Sequence, residues 1–459
     1  MTKPVLRSGL KGGLVQTDAG GHERRCNVAT SPIYRWIVVG LLAVTTATSI
    51  ADRFILVLFI GQIANDLHLS DTQIGLITGA AFSIFYSVFG LLLGRIADTY
   101  NRRNLIVFAI ACWSLSTIGA GFAQSGTQLF LSRLGVAIGE AALIPTSYSI
   151  VSDLFSPRRL PRAMSFLYMG TAASPGLAML IGGVLFQAFA VYGTFTLPLI
   201  GQSHIWQSVF IAAGAAGLIL APLFLFIVRE PRRKLPADMD VHDTPNNREF
   251  LQFLWSKRRL YGPLFLGLAM ISADFNAILT WSPVFYQRVH GWSPAETGTF
   301  LGISLSLCGL LGSYLGGGAT KALTDRRGSD ASLLAVLLFG AVCLPTVLFA
   351  SLIDNSTFDV ACLTISFVLF MALFSIVPSF LQLSAPNRMR GRLSAVYLLV
   401  ITLIAPSVGP LMVGVVTDRL FGDQAMVGKS LALTGLATFP IGLVLCGLAY
   451  SWNRSRRIS

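Results

Sequence analysis

The chain has 459 residues, of which 54% are apolar and only 12% are charged, and its formal net charge is +13 at pH 7. A transmembrane helix needs about 20 apolar residues, so this composition predicts a polytopic membrane protein and leaves no room for a large soluble domain. The six cysteines are scattered and form no CxxC spacing, which argues against a disulfide framework.

The apolar residues fall into consecutive segments long enough to cross a bilayer. These segments cover residues 34–62, 72–97, 104–124, 127–153, 162–190, 206–228, 260–287, 294–320, 331–352, 357–384, 392–418 and 428–452. We therefore expect an all-α protein with twelve transmembrane helices in two six-helix bundles, and number the segments 1 to 12.

The segment spacing also divides the chain. Residues 1–32 are predicted to be a disordered cytoplasmic tail, 33–228 the first bundle, 229–259 a cytoplasmic linker, 260–453 the second bundle and 454–459 a cytoplasmic tail. Within the linker, residues 248–257 mix apolar and basic side chains. This pattern suits a short helix on the membrane surface, and it suits an ordinary linker equally well.

The basic residues indicate the orientation. Of 34 lysines and arginines, only Arg288, Arg419 and Lys429 fall in loops on the face opposite the two termini. Because positive loops stay in the cytoplasm, both termini are predicted to be cytoplasmic. The same bias explains the net charge without a nucleic-acid partner.

Segments 5 and 11 carry matched interruptions, Pro175 with Gly176 and Gly409 with Pro410. Proline inside a transmembrane helix removes a backbone hydrogen bond and kinks the axis, and glycine lets neighbouring helices approach closely. These residues are predicted to be gating hinges, with static packing as the alternative.

Five charged residues lie well inside the segments, away from their ends. They are Asp52 and Arg53 in segment 1, Arg133 and Glu140 in segment 4, and Asp274 in segment 7. A charge at the centre of a transmembrane helix costs about 2.5–3.5 kcal/mol on insertion scales, so such residues face the bundle interior and usually mark a site. The alternative is a permanent ion-pair network that specifies packing.

The depths of these residues suggest how they act. Helices 1 and 4 run in opposite directions, which brings Asp52 and Arg53 to depths that overlap those of Arg133 and Glu140, and the last two share one helix face. We interpret one of the two acids as the proton carrier, since its protonation would free Arg53 to bind an anionic head group. Asp274 is either a second titratable site facing Asp52 or a pore-lining group.

The loop after segment 2 reads Gly94-Arg-Ile-Ala-Asp98-Thr-Tyr-Asn-Arg102-Arg103. It resembles motif A of the major facilitator superfamily, with departures at Thr99 and Asn101. The resemblance implies a cytoplasmic gate formed by Gly94, Asp98, Arg102 and Arg103, in which ion pairs of Asp98 lock one state.

Further stretches resemble the Spinster branch of that superfamily, densely over residues 33–190 and mainly in topology beyond. They are Asp52-Arg53-Phe54, Tyr100 to Arg103, Arg133 to Ala141, Asp153-Leu-Phe155 and Trp281-x-Pro283. The resemblance implies a bacterial, proton-linked transporter of the inner (plasma) membrane that carries lipid-like substrates such as lysophospholipids or sphingoid phosphates. It also assigns functional roles to Asp52, Arg53, Arg133 and Glu140.

Other chemistries find little support. Asp423 to Ser430 imitates a phosphate loop but has Asp where the first glycine belongs, and the five histidines lie in tails or loops. We therefore expect no enzyme activity, no cofactor and no metal, with protons, membrane lipids and an amphipathic or anionic small molecule as partners of a monomer. A drug exporter, a small organic-anion transporter and, more distantly, a non-transporting membrane receptor or intramembrane enzyme remain alternatives.

Overall fold

The computed structural model describes residues 31–156, 158–192, 196–197, 201–231, 233, 247–327, 331–353 and 356–458. Almost all of the predicted amino-terminal tail and the middle of the predicted linker lie outside these residues.

Twelve helices are long and apolar enough to cross a membrane, which confirms the predicted fold class. In chain order, helices 1 to 12 are Pro32–Leu58, Asp71–Thr99, Arg102–Gly121, Gly126–Leu154, Leu160–Tyr192, Ile205–Ile227, Arg258–Val289, Pro294–Arg327, Ala331–Leu352, Ser356–Ser384, Arg390–Phe421 and Val427–Ile458. Outside them lie short helices at Ile60–Asp66 and Asn247–Ser256, a 3₁₀ turn at Asn387–Met389, and one two-residue antiparallel pairing, Thr196–Leu197 with Gly201–Gln202. We call Asn247–Ser256 the linker helix.

Helices 1 to 6 and helices 7 to 12 form the two halves of the molecule. Within the halves, helix 3 packs on helix 6 and helix 1 on helix 5, while helix 7 packs on helices 11 and 12. Between the halves, helix 5 meets helix 8 and helix 2 meets helix 11. Helices 5 and 8 and helices 2 and 11 thus form the two seams between the halves.

Glycine residues allow the helices at both seams to approach each other closely. A Cβ atom on Gly176 would collide with Gly302 and Ser306 of helix 8, and one on Gly75 would collide with the Pro410 carbonyl of helix 11. Glycine is therefore required at these close approaches of backbone to backbone.

The halves are bonded together at the end remote from the chain termini. There the Asp71 carboxylate accepts two hydrogen bonds from the Arg288 guanidinium, at 2.7 and 2.9 Å. The Asp418 carboxylate accepts from the backbone N–H groups of Asp71 and Thr72, at 3.3 and 2.7 Å. We call the Asp71–Arg288–Asp418 group the far-end latch, and the opposite side of the protein the terminus face.

Candidate functional site

The four charged residues predicted in helices 1 and 4 meet in the first half. Arg53 Nε and Nη2 each lie 2.5 Å from Glu140 Oε2. Arg133 Nη1 lies 3.7 Å from Asp52 Oδ2. Each helix thus supplies one acid and one base, and both pairs cross between the helices. The four side chains thus lie at overlapping depths, as the sequence predicted, and contact one another.

Thr117 of helix 3 completes the environment of Asp52. Its hydroxyl lies 2.6 Å from Asp52 Oδ2 and 2.9 Å from the Trp113 carbonyl oxygen, so one proton is shared between two acceptors. Burial of Asp52 at 5% exposure is therefore compensated by one hydroxyl and one arginine.

Two aromatic rings of helix 2 cover the arginines. The Arg53 guanidinium carbon lies 4.3 Å from the centre of the Phe82 ring and 4.6 Å from that of Tyr86, and the Arg133 carbon lies 5.6 Å from Phe82. Such cation–π contacts stabilise a guanidinium away from water. A π-helical turn at Leu76–Ala81 immediately precedes Phe82 and sets the rotation of this part of helix 2.

A cavity of about 130 Å³ separates the two halves at this level. Arg53 and Arg133 supply the charge of its wall, and Arg53 keeps 29% of its side chain exposed. Arg133 Nε and Nη1 are buried without a hydrogen-bond partner. The remaining wall includes Phe54, Phe82, Tyr86 and Thr78 from the first half and Asn276, Leu279, Thr280, Thr402, Pro406 and Pro410 from the second. The arginines thus face the cavity, and Glu140, at 1% exposure, lies behind them.

Asp52 faces a different space. It forms part of an apolar groove of about 430 Å³ between helices 1, 3, 5 and 6, together with Trp113, Thr117, Leu177 and Ile181. Leu177 and Ile181 are 43% and 49% exposed on the outer surface of the bundle. The groove therefore opens towards the bilayer, and Asp52 lies at its base.

Asp274 does not join the network. It is fully buried, neither carboxylate oxygen has a hydrogen-bond partner among the described residues, and Oδ1 lies 3.0 Å from where a Cβ of Gly435 in helix 12 would stand. Helix 7 presents Asn276, Leu279 and Thr280 to the cavity instead. The structure thus does not place Asp274 opposite Asp52. Among the described residues no group of three or more His, Cys, Asp or Glu side chains could hold a metal ion.

The loop that resembles motif A is arranged around Arg102 rather than Asp98. Arg102 is 1% exposed and donates to Asp153 at 2.6 Å, to Glu230 at 2.8 Å and to Ser149 Oγ at 2.8 Å. Asp98, by contrast, is exposed and has no ion pair with any residue in the described part of the chain. The expectation that Asp98 pairs with neighbouring arginines is therefore not met in this conformation, because the Arg102 side chain turns towards helix 4 and the end of helix 6 and the Arg103 side chain bonds to Asn104.

The other two residues of this predicted gate are peripheral. Gly94 has open space where a Cβ would stand. Arg103 donates its backbone N–H to Glu230 at 2.8 Å and its side-chain Nε to Asn104 at 3.0 Å. Glu230 thus joins Arg102 and Arg103 and fixes the end of the first half to the start of helix 3.

A family model described as Major Facilitator Superfamily matches residues 42–410. The chain belongs to this superfamily. Its fold and family are those of membrane transporters, so the protein is a transporter and not an enzyme.

Individual relatives agree with this assignment. The transporter is 30% identical over 425 residues to an MFS-type efflux pump of Mycolicibacterium smegmatis, covering 91% of this chain and 93% of the relative. It is 24% identical over 427 residues to protein spinster homolog 1 of Xenopus tropicalis, covering 88% and 77% respectively. The predicted resemblance to Spinster proteins is confirmed.

A solved structure shows the same fold. The crystal structure of a bacterial homolog to the human lysosomal transporter Spinster, in an inward-facing and unoccupied conformation, matches with a TM-score of 0.80 at 23% identity. The match covers 92% of this transporter and 98% of that chain.

The hinge residues predicted for the transporter lie at helix contacts. Pro175 and Gly176 are inside helix 5 at its seam with helix 8, whereas Gly409 and Pro410 are inside helix 11, with Gly409 against the Ala273 carbonyl of helix 7. The first pair thus lies between the halves, and Gly409 packs within the second.

Three features of the site escaped sequence reasoning. Thr117 looks like an ordinary small residue of helix 3, Phe82 and Tyr86 like ordinary lipid-facing aromatics, and Glu230 like part of a linker. A partial signal existed for the aromatics, because residues four apart share one helix face. Nothing local to Thr117 or Glu230 indicates an arginine or carboxylate from a distant helix.

Proposed function

We propose that this transporter moves an amphipathic organic anion, of the lysophospholipid or sphingoid-phosphate type, together with protons by alternating access. The observation that best supports this proposal is the set of unsatisfied donors on Arg133. Its buried Nε and Nη1 atoms have no hydrogen-bond partner among the described residues, and the residue lies in the wall of a cavity between the halves. Nη1 lies 3.7 Å from Asp52 Oδ2, which is an ion pair too long for a hydrogen bond. A buried guanidinium with unsatisfied donors favours an anionic ligand.

The lining of the cavity suits the rest of such a substrate. Arg53 and Arg133 offer a planar set of donors to a phosphate or carboxylate. Phe54, Phe82 and Tyr86 surround them with apolar surface. A cavity of about 130 Å³ holds a head group rather than a whole lipid, so we place only the anionic group there.

Exchange of ion pairs would couple the substrate to protons. Arg53 is paired with Glu140, and an anionic head group that takes Arg53 leaves Glu140 as a buried charge without its partner. Taking up a proton from water removes that charge, so substrate and proton bind together. Asp52 and Arg133 repeat this arrangement, and either acid can serve as the proton carrier.

The surrounding fold would supply the alternation. In this proposal, residues 33–228 and 260–453 move as two bundles about the seams of helices 5 and 8 and of helices 2 and 11. The linker 229–259 and both tails stay in the cytoplasm of a cell whose inner membrane holds the transporter as a monomer. Motif A would engage Asp98 only in the alternative conformation.

A drug-export function is the second candidate. It is favoured by the groove that leads from the bilayer to Asp52, since an apolar groove with a carboxylate at its base suits a cationic amphiphile. The printed name of the Mycolicibacterium smegmatis relative agrees with it.

Uptake into proteoliposomes tests the proposal. We expect lysophospholipids or sphingoid phosphates to be transported faster when a proton gradient is imposed, and Arg133→Gln to abolish that transport. Arg159→Gln serves as the control, because Arg159 is an exposed arginine of the loop between helices 4 and 5. Transport restricted to small organic anions, or to cationic drugs with Arg133→Gln fully active, would reject the proposed substrate class.

A further inference from the structure

The linker helix lies against the second half at the terminus face. Phe250 is 9% exposed and packs into the core of that half, and Arg392 Nη1 donates to Asn247 Oδ1 at 3.2 Å. Leu251 and Trp255, on the same helix, are 63% and 70% exposed. One face of this short helix is thus anchored, and a second apolar face is left open by the described part of the chain.

An apolar groove of about 310 Å³ runs beside that exposed face. The lining residues are Leu251, Leu254 and Trp255 of the linker helix, Arg258, Tyr261, Gly262, Phe265 and Leu266 of helix 7, and Val396 and Val400 of helix 11. Helices 7 and 11 begin at Arg258 and Arg390, so the groove lies at the ends of two transmembrane helices, where hydrocarbon meets head groups.

One arginine lines the groove, and a second lies one helical turn from its wall. The Arg258 guanidinium carbon lies 4.8 Å from the Trp255 ring centre, and Arg258 is itself part of the lining. Arg392 precedes Val396 by one helical turn on the same face of helix 11, and its guanidinium carbon lies 5.9 Å from the Phe250 ring centre. These contacts hold both cations at the head-group end of an apolar groove.

Further charges around the mouth are mostly positive. Arg248, Lys257 and Arg259 lie on the linker helix or beside it, and Arg388 and Arg390 precede Arg392. Among the described residues of this region, Glu249 is acidic. Juxtamembrane clusters of this kind attract anionic lipids, with a contribution of about 1 kcal/mol for each basic residue near the surface.

We infer that this groove binds an anionic phospholipid from the leaflet at the terminus face. One acyl chain lies along Leu254, Phe265 and Val400, and the phosphate accepts hydrogen bonds from Arg258 and Arg392. Charge complementarity selects the occupant, because a zwitterionic head group would bring its own cation towards the basic cluster. The site is separate from the cavity between the halves and does not depend on the proposed substrate.

Fluorescence of Trp255 in the full-length protein tests this site. The protein is reconstituted in nanodiscs with phosphatidylglycerol or phosphatidylcholine brominated on the acyl chains, and the emission lost in Trp255→Phe isolates the signal of that residue. We expect phosphatidylglycerol to quench Trp255 at a mole fraction at least fivefold lower than phosphatidylcholine does. One basic contact corresponds to about fivefold in affinity.

The matched variants separate charge from folding. The double variant Arg258→Gln/Arg392→Gln should reduce the preference by about fivefold or more, Arg258→Lys/Arg392→Lys should retain most of it, and Arg159→Gln should leave it unchanged. Equal quenching by the two lipids, or an undiminished preference in the glutamine variant, would overturn the inference. So would relief of quenching by millimolar inorganic phosphate, which would identify a site for a soluble anion.

Discussion

The two halves treat charge in opposite ways. The first half places Asp52, Arg53, Arg133 and Glu140 at membrane depth and pairs each acid with a base from the other helix. The second half buries Asp274 inside helix 7 with no hydrogen bond to the described residues, and the residues that it contributes to the cavity wall are uncharged. Its other buried acid in the described part of the chain, Asp359, lies at the start of helix 10 and pairs with His290. The difference suggests a division of labour in which the first half binds charge and the second half closes over it.

Removing one base from the first half should give the largest effect. Arg53→Ala leaves Glu140 buried without its counter-ion, and breaking a buried pair costs about 3–5 kcal/mol. Because Arg53 is 29% exposed, we expect about 3 kcal/mol, a clearly lower melting temperature in detergent and no transport. Arg53→Ala/Glu140→Gln should recover most of the stability, because it removes the unpaired charge. A double variant no more stable than Arg53→Ala would show that loss of the ion pair is not the cause of the destabilisation.

Neutralising an acid of the first half should uncouple transport without unfolding the protein. Wild-type uptake is expected to rise as the pH on the side of the open cavity falls, because protonation of the acid releases an arginine for the substrate. Asp52→Asn keeps the shape and the Thr117 contact but carries no proton, so its uptake should lose this pH dependence. The measurement is initial uptake between pH 5 and pH 8, with a size-exclusion profile to confirm folding. Unchanged pH dependence would remove Asp52 as the proton carrier and leave Glu140.

Breaking the far-end latch should affect the contact between the halves rather than either half. Arg288→Gln removes both hydrogen bonds to the buried Asp71 carboxylate and should destabilise the closed far end relative to the open one. Nitroxide labels at His68 and Asp423, which are exposed on that face, report the distance between the halves. In double electron–electron resonance measurements we expect Arg288→Gln to add a population with a longer distance between the two labels. Lys429→Gln, an exposed cation on the same face, should leave the distances unchanged, and a new population in that control would show that the latch is not specific.

The fold and part of the site could be predicted from the sequence, because they depend on local properties of each segment. Segment length and the cost of buried charge are local properties, and they predicted the twelve helices and the four charged residues of helices 1 and 4. Which acid pairs with which base depends on helix rotation and crossing, which no segment encodes alone. The same limit explains why Arg102, rather than Asp98, is the buried member of motif A.

Replacing Asp274 should have the smallest effect on stability, and it is the most discriminating test of the difference between the halves. Leucine nearly matches the shape of aspartate beyond Cβ, and replacing an unpartnered polar group by an apolar one of the same shape is nearly neutral or stabilising. Asp274→Leu should therefore change the free energy of unfolding by about 1 kcal/mol or less and leave proton-dependent uptake intact. The same replacement at Asp52 should destabilise the protein, because it leaves Arg133 without its acid. If Asp274→Leu instead abolishes the response to a pH gradient while the protein remains folded, the second half also carries a proton, and the proposed division of labour is wrong.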